Sequence, residues 1–125
     1  SKSTETTETT KPEKLTETSA PAKTETKPTE TMGQKNAVRK ALSYLDYSAF
    51  SYSGLINQLE YEGFSTEDAT YGADNCGADW NEQAARKAQD YLDYSSFSRD
   101  GLIDQLKYEG FTAEQAEYGV TAVGY

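Results

Sequence analysis

The chain has 125 residues, with 12 Lys+Arg against 21 Asp+Glu, a formal net charge of −9 and no histidine. So acidic a chain suits neither nucleic acid, where Lys and Arg must neutralise phosphates, nor an anionic lipid surface. One cysteine and no histidine exclude an internal disulfide and a Cys/His zinc site, and no apolar run is long enough to span a bilayer.

Residues 1–31 are Thr, Glu, Lys and Pro with Leu15 as the one large apolar residue. Such a segment buries too little apolar surface to offset its ordering entropy and is predicted to be a disordered spacer. Ser1 does not look like a natural start, so a processed form is expected. From Met32 onward there are 7 Lys+Arg and 15 Asp+Glu, net −8, together with all ten Tyr, all four Phe and the single Trp.

The first helix is predicted over residues 32–47. Thr31 with Gln34 makes a capping box, and Ala37, Val38, Ala41, Leu42, Tyr44 and Leu45 form one apolar stripe. A second helix starts at Tyr52 behind Ser51 as its cap, buries Leu55, Ile56 and Leu59, and ends at Gly63, where a left-handed residue is needed. Gly54 in its first turn points to close approach by a neighbouring helix. Ser65 with Asp68 caps a third helix reaching Asn75, and Phe64 with Ala69 forms a hydrophobic staple. Gly77 ends it.

The chain then repeats itself. Asp79 and Glu82 cap a helix over residues 80–94, Ser98 one over 99–109, and Thr112 one from Ala113 to about Val120. At a constant offset of about 47 residues, roughly 25 of about 42 positions are identical. The sequence therefore predicts an all-α fold of two tandem three-helix, helix-turn-helix-like repeats, residues 32–77 and 78–125, behind the disordered tail.

The repeated blocks are specific. Tyr44–Leu45–Asp46–Tyr47–Ser48, Phe50–Ser51, Gly54–Leu55–Ile56–Asn57–Gln58–Leu59 and Tyr61–Glu62–Gly63–Phe64 resemble the repeat of the host-cell-surface-exposed lipoprotein (Ltp) family. The second copy, with Phe97–Ser98, Gly101–Leu102–Ile103–Asp104–Gln105–Leu106 and Tyr108–Glu109–Gly110–Phe111, resembles it equally. So does the connecting segment Asp74–Asn75–Cys76–Gly77–Ala78–Asp79–Trp80. The resemblance covers about three quarters of the chain.

That resemblance implies a lipoprotein of a temperate streptococcal phage, held by an N-terminal lipid on the outer face of the host membrane. The lipidated Cys lies outside this sequence. It further implies superinfection exclusion: DNA injection by a second phage is blocked after adsorption, by contact with a basic segment of its tape-measure protein. No cofactor, metal or nucleic acid is implied.

The candidate partner-binding residues are acids, chosen as the complement of a basic segment. Asp46 and Asp93, Glu62 and Glu109, and Glu67 and Glu114 occur in both copies, while Glu60, Asp90 and Asp104 occur in one. The plainer reading of any single acid is a solvated face or a helix cap. Tyr52 joins them because Arg99 stands at its repeat position, so it is expected to be exposed and to anchor an interface.

The duplicated tyrosines are expected to bury their rings and keep their hydroxyls wet. Trp80 is expected between the repeats or at the helix start, and Cys76, aligned with Val123, as a small hydrophobe. Residues 74–79 resemble a calcium loop only faintly, because Gly77 falls at the fourth position and the bidentate Glu is missing. No His base is present and nothing basic activates Cys76, so no enzyme is predicted. The alternatives are a passive cell-surface or wall module and a helix-turn-helix DNA-binding module. Charge opposes the second: Arg86–Lys87 is answered by Asp90 and Asp93 one turn on.

Overall fold

Every helix starts at a side-chain cap. Thr31, Ser51, Ser65, Asp79, Ser98 and Thr112 each accept backbone N–H groups two or three residues on, and Thr31 and Thr112 form full capping boxes with Gln34 and Gln115. In this computed structural model, residues 29–125 are described, so nearly all of the predicted spacer lies outside the described residues. The elements are α1 Met32–Tyr47, α2 Tyr52–Tyr61, α3 Thr66–Asn75, α4 Trp80–Tyr94, α5 Arg99–Tyr108 and α6 Ala113–Ala122, with no strand among the described residues.

Helices α2, α5 and α6 end alike. After α2, the Phe64 N–H reaches the Leu59 carbonyl and the Gly63 N–H that of Glu60, both in a Schellman pattern. The same pairs recur as Phe111 to Leu106 and Gly110 to Lys107. Gly63 and Gly110 have φ of 108° and 109°, a region only glycine enters freely.

Each repeat packs its own core. In the first, Ala41, Leu45, Leu55, Leu59, Ala69, Ala73 and Cys76 are buried together. In the second, Ala84, Ala88, Leu102, Leu106, Phe111, Ala116 and Val120 do the same. Cys76 is the small buried residue its alignment predicted, its thiol donating to the Ala73 carbonyl at 3.4 Å. The dominance of alanine lets α1 lie close on α3 and α4 on α6. At the crossing, a Cβ on Gly72 would stand 2.8 Å from the Ala37 carbonyl oxygen, and one on Gly119 2.6 Å from the Ala84 carbonyl carbon.

One local expectation needs correction. Leu42 is 45% exposed and lies outside the buried stripe of α1, which is Ala37, Ala41 and Leu45. Residues four apart line up, and Leu42 sits about 100° round from Ala41. Gly54, as expected, faces the backbone of a neighbouring helix, at that helix's end. Its would-be Cβ is 2.8 Å from the Ser51 hydroxyl and 3.6 Å from the Glu109 carbonyl oxygen, so it leaves room for a cap and for the end of α5.

Trp80 is both the first residue of α4 and part of the first repeat's core margin, with its ring edge-on to Tyr52 at 5.5 Å. It therefore lies between the repeats. Residues 31–125 form one compact unit.

Candidate functional site

The second contact joining the repeats is polar. At the start of α2, the Ser51 hydroxyl donates to the Glu109 carbonyl at 2.6 Å, and the Phe50 N–H donates to Gln83 Oε1 at 3.1 Å. Arg86 donates to the Leu45 carbonyl at 3.1 Å. Ser51 and Gln83 are the buried polar residues of the described chain, at 2% and 7% exposure. Buried polar groups need partners, and here each finds one in the other repeat. No local pattern announced this joint; the one hint was that Gln83 has the shorter Asn36 as its counterpart.

Each repeat also builds the same tyrosine–acid tie. The Tyr44 ring stands edge-on to Phe50 at 5.6 Å, its hydroxyl donates to the Glu62 carboxylate, and Gln58 Nε2 donates to that hydroxyl at 3.3 Å. In the second repeat Tyr91 meets Phe97 at 5.7 Å, Glu109 and Gln105, the last at 3.1 Å. Donation to Glu62 is the main cause that holds the Tyr44 hydroxyl above its ordinary pKa. For Tyr91 burial comes first and the Glu109 bond second, with the same direction. A neutral phenol is the better donor to a carboxylate.

Beside each tie stand two tyrosines that the structure leaves in water. Tyr47 and Tyr61 are 89% and 85% exposed, and Tyr94 and Tyr108 are 88% and 84%. Tyr118 is also exposed. The expectation that the duplicated tyrosines bury their rings therefore fails for these five. Tyr47, Tyr61, Tyr94 and Tyr108 are the last residues of their helices, each two positions and so about 200° round from the core-facing Leu45, Leu59, Leu92 and Leu106. Asp46 and Asp93, both exposed, precede Tyr47 and Tyr94. Tyr61 and Tyr108 lie close enough to Tyr44 and Tyr91 to act on them electrostatically. Each repeat thus leaves an exposed tyrosine at the C-terminal end of each of its first two helices, next in sequence to Asp46 or Asp93 in one case and to Glu62 or Glu109 in the other.

The other candidate acids are dispersed. Glu67 and Glu114 are exposed in the first turns of α3 and α6, where a negative charge favours the helix N-terminus. Glu60 is partly buried and accepts from the Thr66 hydroxyl, and its counterpart in the second repeat is Lys107. Asp93 accepts from Gln89 at 2.8 Å, while Asp90 and Asp104 are exposed on α4 and α5.

Tyr52 corrects the expectation of an exposed anchor. It is half-buried, edge-on to Trp80, and its hydroxyl donates to Asp74 at 2.6 Å, which raises its pKa. Arg99, at the repeat position of Tyr52, is exposed and donates to the Thr121 hydroxyl at 3.3 Å.

Among the described residues no group of His, Cys, Asp and Glu could hold a metal ion, and no helix is long and apolar enough to cross a membrane. What the arrangement offers is recognition: carboxylates beside aromatic faces suit cationic groups through charge and cation–π contact.

The model of the family described as host cell surface-exposed lipoprotein matches residues 33–76 and again 79–123. Comparison with curated proteins gave no match. Among solved structures, the chain is similar to Ltp, a superinfection exclusion protein from the Streptococcus thermophilus temperate phage TP-J34. The TM-score is 0.71 and the identity 35%, over 74% of this chain and 97% of that one. Two matched repeats, six capped helices and a shared tertiary structure place this chain in the host cell surface-exposed lipoprotein (Ltp) family.

Proposed function

We propose that this chain acts in superinfection exclusion: displayed on the host surface by a lipid anchor, it blocks DNA injection by an incoming phage after adsorption. In this reading a basic segment of the phage's tape-measure protein is captured on the acidic repeat surfaces. The observation that carries it is the charge of the folded region, net −8 from Met32 onward, in a chain of this family. Exposed acids of that kind raise the association rate of a cationic partner more than its affinity, and do so in a salt-sensitive way. The exposed tyrosines next to them in sequence supply apolar contact for Lys and Arg stems. Catalysis has no place in this mechanism.

The test displays the chain on a lipid anchor in a susceptible streptococcal host and measures phage adsorption and DNA injection separately, with a cytosolic form as control. Normal adsorption with blocked injection, only for the anchored form, is the expected result. Unimpaired injection past a stably displayed protein would favour a passive surface or wall module. Binding of duplex DNA in a low-salt gel shift would favour the helix-turn-helix alternative.

A further inference from the structure

Among the six described helices, α1 alone has a net positive charge. It holds Lys35, Arg39 and Lys40, all exposed, and no acid before Asp46, so it is net +2. The folded region as a whole is net −8, so the rest of it carries −10. Met32, Lys35, Arg39 and Leu42 follow one another at spacings of three, four and three, which sets them in one stripe about 15 Å long. Lys35 and Arg39 stand two positions before the buried Ala37 and Ala41, about 200° round from them, so the stripe faces away from the core. It is apolar at both ends: Met32 is 72% exposed and Leu42 45%. The acid that meets the start of α1, Asp68 of α3, lies against Gly33, outside the stripe. The second repeat has no such face. Asp79, Glu82, Arg86 and Gln89 stand at the same four positions, and Arg86 is drawn into the joint by the Leu45 carbonyl.

We infer, on the reading of a lipid-anchored chain, that this face of α1 rests on an anionic lipid surface and turns the acidic remainder away from it. In that reading the anchor precedes residue 1, and α1 is the first described helix after it. Residues 1–31 reach at most about 110 Å, so the helix stays at high effective concentration above the lipid and a weak attraction suffices. Each Lys or Arg near such a surface contributes about fivefold to binding. The long basic side chains reach the headgroups while Met32 and Leu42 enter the layer between them. Screening limits the attraction to about 8 Å at physiological salt, so cations in contact outweigh acids on the far side of the fold. The net charge opposes adsorption in any other orientation and so selects this one. An acidic polymer or the acidic surface of a second copy would answer the three cations, but neither has a use for Met32 and Leu42 beside them.

The test attaches the isotope-labelled full chain through an added N-terminal acyl chain to lipid nanodiscs that contain a gadolinium-chelate headgroup lipid, and reads the paramagnetic broadening of each amide signal. With phosphatidylglycerol in the disc, broadening is expected to be strong at Met32, Lys35, Arg39 and Leu42 and weak at Asp79, Glu82 and Gln89. With phosphatidylcholine alone the difference disappears. Lys35→Gln, Arg39→Gln and Lys40→Gln together lower the ratio of docked to free chain about 100-fold, with the melting temperature little changed because all three side chains are exposed. Met32→Ser with Leu42→Ser lowers the ratio at unchanged charge. Equal broadening in the two repeats, or broadening that the triple variant leaves intact, would overturn the inference. So would equal shifts at Lys35 and Arg39 from soluble poly(glycerol phosphate), which would make a polyanion the occupant, or lipid-free shifts there that grow with protein concentration, which would make it a second copy. Because the acyl chain is supplied, the outcome is independent of whether the displayed chain excludes phage, and the two readings fail separately.

Discussion

The Ser51 hydroxyl caps α2 by accepting the Gly54 N–H at 2.9 Å and at the same time donates to the Glu109 carbonyl at 2.6 Å, 58 positions away. One side chain thus starts a helix in the first repeat and ties it to the end of a helix in the second. Its counterpart Ser98 caps α5 in the same way but is exposed.

Ser51→Ala removes both bonds and leaves the Glu109 carbonyl short of a donor. The expected loss is about 2–3 kcal/mol, against about 1 kcal/mol for Ser98→Ala, which removes a cap alone. Urea unfolding of the two variants measures the difference. Equal losses would mean that the bond between repeats contributes nothing.

Gly72→Ala and Gly119→Ala oppose two effects. Alanine in a helix gains up to about 1 kcal/mol over glycine, but a Cβ here would lie within 3.0 Å of the backbone of Ala37 or Ala84. Backbone cannot yield as a side-chain end can, so overpacking wins and both variants lose about 1–3 kcal/mol. A raised melting temperature in either would show that the helices separate without cost.

Alkaline pH should weaken the fold. Tyr44, Tyr52 and Tyr91 are all held above the ordinary tyrosine value of 10.0, chiefly by donation to Glu62 and Asp74 for the first two and by burial for the third. The unfolded chain therefore loses these protons first. Their contribution is complete below about pH 10 and is lost as pH rises through the folded-state values. Replacing the three with Phe should flatten the fall in melting temperature above pH 10. A fall of unchanged steepness would assign it to other groups.

Tyr47, Tyr61, Tyr94 and Tyr108 are so exposed that changing all four to Ser should move stability by no more than about 0.5 kcal/mol each. If they and the neighbouring acids contact a basic phage segment, exclusion by the displayed protein should nonetheless drop. The same holds for Asp46→Asn with Asp93→Asn, whose effect should shrink as salt rises. Undiminished exclusion by both folded variants would remove these residues from the interface.

The helices of this protein were legible because their signals are local. Ser65 finds its donor three residues on, and Gly63 takes the left-handed turn that the Leu59 and Glu60 carbonyls require, so the residue types alone place both ends. The repeat was legible for the same reason, since identical blocks must make identical elements. Tertiary structure decided what each side chain meets. Tyrosine is at home both in a core and in water, so nothing in the repeated blocks separates Tyr44, tied to Glu62, from Tyr47, left exposed. Asparagine or glutamine at a helix start says little until Gln83 is seen reaching the Phe50 N–H of the other repeat. Sequence alone determined the six helices, their caps and their duplication, because those bonds close within a few residues. Only the packed chain decided that Ser51 joins the repeats, that Tyr52 lies under Trp80 and that Arg99 does not, because those partners meet across tens of residues of sequence.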